Sequence, residues 1–329
     1  MTVPLPLPLR CNIPNIAAYT REFFASKCNP YHPEAESGAR AWFDSYGIYS
    51  DKKREKFFDS QFCLLASLLY PNADLEHVRP AMDFILWLFS FDDMADSGEF
   101  STGGLTLAVD VTMNAIRNPD SGVSGITIAA TIQSVVNRMR VNGSHATIDR
   151  FIDALQSYSQ SIIKENSNKT DGYVETIEEY TRTRLDTSGV KLTLAMLEYA
   201  HCLDLPEEVH SDPIVAELAT AGNEIISWAN DIYSFPVEQS WGQLHNFVYV
   251  VMKNKQLDVQ GAIDYVNQRI QARIDEYVSL KAKLRSFGEH LDPQVAQYIQ
   301  GIEYNVQACI EWYLITPRYR AVEGEEIMA

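Results

Sequence analysis

Apolar positions recur at helical spacing along nearly the whole chain. The pattern starts with Phe57, Phe58, Phe62, Leu65, Leu68 and Leu69, and continues from Val78 to Asp93 and from Leu105 to Ile116. Further periodic segments cover roughly 125–141, 146–166, 173–185, 190–202, 213–238, 242–255, 259–287 and 293–313. Turn signals such as Asn118-Pro119-Asp120, Asn142-Gly143 and Ser211-Asp212-Pro213 separate them. Strand-like alternation is scarce, so the pattern predicts about ten helices and an all-α, single-domain antiparallel bundle spanning 1–329. Lys164 to Gly172 is the most polar stretch and reads as a surface loop, and Glu323 to Glu326 make 321–329 an acidic tail expected to be mobile. One helix should break: Asp186 to Ser188 bond readily to their own backbone and Gly189 weakens the helix further, which exposes unpaired carbonyls beside Arg184.

The chain has 329 residues, is 46% hydrophobic and carries a formal charge of −17. That is ample material for one large core, and the charge argues against nucleic acid or an anionic membrane as partner. Basic residues in a pocket therefore stand out. The five cysteines, Cys11, Cys28, Cys63, Cys202 and Cys309, are odd in number and widely spread, which suits reduced thiols. Pro4, Pro6 and Pro8 forbid the helical core of a signal peptide, so 1–15 reads as an extended strap. No apolar run approaches the roughly 20 residues of a membrane span, and a soluble cytoplasmic protein is expected.

Two motifs carry chemistry. Asn230, Ser234 and Glu238 stand at i, i+4 and i+8, within about 80° of a helix circumference, so amide, hydroxyl and carboxylate oxygens converge on one hard divalent cation. So little anionic charge calls for further anionic oxygens, most naturally substrate phosphates. Upstream, Asp92-Asp93-Met94-Ala95-Asp96 closes the apolar run from Phe84 to Phe89. Asp92 and Asp96 share a face and repel each other unless a cation or an arginine neutralises them.

An acidic DDxxD followed much later by NDxxSxxxE resembles the class I terpene cyclases, specifically the fungal sesquiterpene synthases, over essentially the whole chain. The resemblance implies a carbon–oxygen lyase of the class I terpenoid synthase fold that ionises farnesyl diphosphate with three Mg²⁺ and cyclises the carbocation. It implies Asp92, Asn230, Ser234 and Glu238 as metal ligands, with Asp93 orienting an arginine. A diphosphate-sensing arginine 46 residues before the Asn falls on Arg184, with Arg182 as its rival. A terminal Arg-Tyr pair falls on Arg318 and Tyr319, and a pocket tryptophan on Trp312. Gly242-Gln243-Leu244-His245-Asn246 looks like the fungal continuation of the second motif, and His245 reads as structural. Where many relatives place a lysine just before the motif glutamate, this chain has Val237.

Expulsion of an allylic diphosphate needs preorganised positive charge, and Arg184, Arg318 and Tyr319 add charge-assisted donors to it. The carbocation needs a dry aromatic cavity, where the ring faces of Trp312 and Phe89 stabilise passing charge by roughly 0.5–2 kcal/mol each. Phe89, three residues before Asp92, is expected on the metal-facing side. Two other functions compete. Chain-elongating prenyl diphosphate synthases share fold and magnesium but carry two aspartate-rich motifs, of which this chain has one, and a helical scaffold has no use for the ligand triad. Product skeleton and oligomeric state, a homodimer included, stay open.

Overall fold

The computed structural model describes residues 11–96, 103–119, 122–240 and 242–319. The first ten residues of the strap and the acidic tail lie outside the described residues, as does the side chain of Asp96.

The protein is all-α. Its helices in chain order are α1 (Ile16–Thr20), α2 (His32–Tyr46), α3 (Asp51–Asp59), α4 (Phe62–Leu69), α5 (Leu75–Asp96), α6 (Gly104–Arg117), α7 (Thr127–Asn142) and α8 (His145–Asp171). They continue as α9 (Ile177–Thr187), α10 (Val190–Ala200), α11 (Glu207–His210), α12 (Pro213–Ser240), α13 (Phe247–Lys255), α14 (Val259–Lys281) and α15 (Asp292–Ile315), closed by a 3₁₀ turn at Pro317–Tyr319. One cluster of buried apolar side chains runs through them from Ile16 to Tyr313. α12 packs on α14 and α15, while α5 packs on α2, α4 and α7. Buried polar atoms link these layers, because an unpaired one would cost about 1–3 kcal/mol. Trp87 Nε1 donates to the Ile128 carbonyl at 2.9 Å, and Asn305 Nδ2 to the Leu69 carbonyl at 3.0 Å.

Three features differ from the sequence reading. The periodic segments read from the sequence begin at Phe57, yet α1, α2 and α3 start before it, α2 burying Ala35, Ala39 and Phe43 at fourfold spacing. Two of its three buried positions are alanine, so its apolar stripe is thin. Lys164 to Gly172 is not a loop: α8 runs on to Asp171 as a largely exposed extension, for which Lys and Glu are good helix formers, and ends where Gly172 takes φ +68°. The break after α9 is present, with Gly189 at φ +72° between α9 and α10. The carbonyl freed there is not left unpaired, since Asn223 Nδ2 donates to the Leu185 oxygen at 2.9 Å. Of the strap, residue 12 lies against α14, where its backbone exchanges hydrogen bonds with the Gln260 side chain at 2.8 and 3.1 Å.

Candidate active site

A cavity of about 410 Å³ opens among α4, α5, α8, α12, α15, the α9–α10 junction and the terminal turn. Asp92 and Phe89 reach it from α5, Arg184 from α9, Asn230, Ser234, Val237 and Glu238 from α12, and Trp312, Arg318 and Tyr319 from the C-terminal end. Arg182 is exposed and does not line it. Along α5 the lining passes from Ile85 and Leu88 to Asp92, and along α12 from Ile226 to Asn230, Ser234 and Glu238. Both helices thus turn from apolar to polar toward the same end.

The polar residues join in two linked groups. Arg184 Nη2 donates to Asn230 Oδ1 at 2.9 Å and pairs with Asp231 Oδ1 at 2.8 Å, while Asn230 Nδ2 donates to the Tyr319 hydroxyl at 2.9 Å. The buried Tyr180 hydroxyl donates to the other oxygen of Asp231. Next to Tyr319, Arg318 Nη2 lies 2.6 Å from Asp93 Oδ1 and 3.7 Å from Asp92 Oδ2. The C-terminal turn therefore bridges the two motifs, with Tyr319 on Asn230 and Arg318 on the aspartates. Asp93 thus pairs with Arg318.

α12 carries Asn230, Ser234 and Glu238 to one face although Pro236 sits between the last two. Asn246, in the connection to α13, spans that interruption: its Nδ2 donates to the Asp231 carbonyl at 2.8 Å and to Glu238 Oε2 at 3.0 Å. Its Oδ1 accepts from Val248 N at 2.9 Å and so caps α13.

Electrostatics at this end favour a cation. Burial, and then the charge of Asp231, push the Glu238 carboxyl up to about 7. Burial opposes the Arg184 charge, but Asp231, Tyr180, Glu238 and Glu165 together outweigh it and keep the guanidinium protonated. Ser234 Oγ is buried without a well-formed hydrogen bond.

The aromatic wall is continuous. Phe89 stacks on Phe62 at 4.2 Å and meets Trp312 at 5.3 Å, and Trp312 meets Tyr319 edge-on at 5.8 Å. The Arg318 guanidinium lies 5.5 Å above the Phe89 ring. Trp312 is fully buried and donates Nε1 to the Ser60 carbonyl at 2.8 Å.

Sequence reasoning missed several contributors. Asp231 stood inside the quoted motif, and its buried pairing with Arg184 was visible only in three dimensions. Tyr158, whose hydroxyl donates to Asp92 Oδ1 at 3.3 Å, sits on α8 with no motif around it. His245 lines the cavity while its Nδ1 meets Glu175 at 2.7 Å and its Nε2 meets Thr187 Oγ1 at 2.9 Å, tying the loop after α12 to α9.

An all-α bundle whose cavity holds an acidic motif, an Asn/Ser/Glu motif and an aromatic wall defines a class I terpene synthase. Residues 83–276 match the family model described as terpene synthase family 2, C-terminal metal binding. Sesquiterpene synthase 3 of Postia placenta is 35% identical over 92% of this chain and 83% of its own length, and sesquiterpene synthase Agr1 of Cyclocybe aegerita is 31% identical over 93% and 88%. The crystal structure of SVS_A2, a protein from ancestral sequence reconstruction, superposes with a TM-score of 0.81 at 20% identity, covering 97% of this chain and 93% of the other. The chain belongs to the terpene synthase family, a lyase class, among the fungal sesquiterpene synthases.

The matched family is a metal-binding one, and the residues here fit a hard divalent ion. It would draw Ser234 Oγ, which now only leans on Glu238, into its shell and relieve the crowding of Glu238 and Asp231 that holds a buried carboxyl up. Among the described residues no helix is long and apolar enough to cross a membrane.

Proposed function

We propose that this chain, folded as one domain, is a sesquiterpene synthase that ionises farnesyl diphosphate in the presence of Mg²⁺ and guides the carbocation to a cyclic hydrocarbon or alcohol. The observation that carries this reading is the convergence of both motifs, Arg184, Arg318 and Tyr319 on one cavity that Leu65, Leu69, Ile85, Leu88, Phe89 and Trp312 also line. Its volume of about 410 Å³ falls within the range of roughly 300–1,000 Å³ usual for small-molecule sites. Asp92, Asn230, Ser234 and Glu238 would hold the magnesium, three ions by family resemblance, which supplies charge neutralisation for the departing diphosphate.

This chain's own residues do the rest. Arg184, Arg318 and the Tyr319 hydroxyl donate to diphosphate oxygens, and guanidinium forks suit that geometry. When substrate arrives, Arg318 exchanges part of its pairing with Asp93, and Tyr319 part of its contact with Asn230, for phosphate oxygens. Because both residues sit on the turn that bridges α5 and α12, the exchange couples substrate binding to closure of the polar end and exclusion of water. The cation then lies against Phe89 and Trp312, whose ring faces stabilise charge without trapping it. Val237 leaves the guanidinium pair as the cationic side chains at the diphosphate, where many relatives add a lysine.

Incubation of the purified protein with farnesyl diphosphate and Mg²⁺, followed by gas chromatography of the extract, tests the reading. A volatile cyclic sesquiterpene is expected. A longer prenyl diphosphate would mean chain elongation, and no turnover with any prenyl diphosphate would sink the enzymatic account.

A further inference from the structure

At the far end of α5 from the acidic motif, three potential metal-ligating side chains meet. Asp74 immediately precedes α5, His77 lies in its first turn, and Cys202 follows α10, with ligand atoms of all three within 4.8 Å of one another. From His77 to Asp92 is 15 positions of helix, or about 22 Å along the axis. The cavity and its magnesium chemistry are therefore remote.

The geometry of the group is specific. Asp74 Oδ1 accepts both the His77 backbone N–H at 2.9 Å and His77 Nδ1–H at 2.7 Å. With the proton on Nδ1, the bare Nε2 faces Cys202 Sγ at 3.4 Å. In a tetrahedral zinc site, bonds of about 2.0 Å to nitrogen and about 2.3 Å to sulfur set those two ligand atoms about 3.5 Å apart. A carboxylate behind a ligating histidine is also the usual support for such a site.

Cys202 is held in place at a cost. It closes α10 with φ +53°, a left-handed conformation in which glycine is the ordinary residue. Its N–H bonds to the Tyr199 carbonyl at 3.1 Å, which fixes the turn and points the sulfur at His77. Asp74 and Cys202 are exposed, giving an ion a way in.

We propose that Asp74, His77 and Cys202 form a site for a thiophilic divalent cation of the zinc type, clamping the start of α5 to the end of α10. Nε2 and Sγ are the direct ligands, Asp74 orients the ring, and water completes the shell. Thiolate and imidazole select such a metal over Mg²⁺, so the two metal chemistries do not compete for one site.

Titration of the purified full-length enzyme with Co²⁺ tests this, because only sulfur ligation produces a thiolate-to-cobalt charge-transfer band. One equivalent should develop the band in wild type and in Cys28→Ser, whose exposed thiol lies elsewhere. Cys202→Ser should abolish it, and His77→Gln should weaken Co²⁺ affinity about tenfold or more. Zn²⁺ should displace the cobalt and raise the Tm of wild type but not of Cys202→Ser, while turnover of Cys202→Ser with Mg²⁺ alone stays at the wild-type level. Absence of the band in wild type, or its persistence in Cys202→Ser, would overturn the proposal. Because Cys202→Ser changes one exposed side chain, it decides the matter even if His77→Gln folds poorly.

Discussion

The two arms of the candidate site are assembled in different ways. On α12, Asp231 is 1% exposed and locked between Arg184 and Tyr180, and Asn230 is held from both sides by Arg184 and Tyr319. On α5, Asp92 is 36% exposed, with the Tyr158 hydroxyl at 3.3 Å and Arg318 at 3.7 Å. The α12 arm is therefore buried and cross-linked, whereas the α5 arm presents a more exposed carboxylate. In the proposed reaction this predicts a division of labour: α12 defines where the diphosphate sits, and α5 engages once it is there.

The sharpest way to break the comparison is to disable each arm separately. Asn230→Ala removes a proposed metal ligand and the partner of both Arg184 and Tyr319, so turnover should fall by roughly 10²–10³-fold. Asp92→Asn should cost less, roughly 10–100-fold, and mostly as a raised Mg²⁺ requirement. Steady-state rates across a Mg²⁺ series check both, and equal defects in kcat at saturating metal would erase the distinction between the arms.

Next in size is the arginine pair. Arg184→Ala strands Asp231 in the interior and should lower stability by about 3–5 kcal/mol as well as slowing ionisation. Arg182→Ala, at an exposed position, should stay within about 0.5 kcal/mol of wild type. Urea denaturation alongside single-turnover rates reads both, and a larger effect at Arg182 would reassign the diphosphate sensor.

Trp312→Leu separates wall from arms. The Ser60 carbonyl keeps the Thr316 hydroxyl at 3.1 Å, so no acceptor is orphaned and the loss is one of packing, about 2 kcal/mol. The product profile should shift toward acyclic or monocyclic compounds, with substrate consumption reduced less than in Asp92→Asn. An unchanged profile by gas chromatography would make Trp312 ordinary core.

The smallest effect concerns the loop that follows the α12 arm. Burial works against the charge of His245, but Glu165 and Glu175 outweigh it and raise the imidazolium above its ordinary pKa of about 6.5. A raised folded pKa adds stability that is fully present below about 6.5 and is lost as pH rises through the folded value. Denaturation midpoints of wild type should therefore exceed those of His245→Gln most at acidic pH, with the gap closing as pH rises. A gap that widens with pH would show the opposite protonation.

What could be read from the chain alone follows the same contrast. Asn230, Ser234 and Glu238 lie on one helix, so a period of 3.6 residues places them together before any fold is known. The break at Gly189 was likewise local. Asp231–Arg184, Tyr158–Asp92 and Asn246–Glu238 join separate elements, and nothing in the spacing of one element reports its partner on another. Lys164 to Gly172 misled for a different reason: high polarity marks exposure, and an exposed helix extension is as polar as a loop. Asp74, His77 and Cys202 are more than 120 residues apart at their extremes and form a cluster only because α5 and α10 pack side by side.

The central claim is that both arms close on one diphosphate through metal, and calorimetric titration of the enzyme with Mg²⁺, with and without inorganic diphosphate, addresses it directly. The account predicts that diphosphate tightens Mg²⁺ binding by about tenfold or more, and that Asn230→Ala and Asp92→Asn each remove this coupling. Mg²⁺ affinity that is the same with and without diphosphate would contradict it.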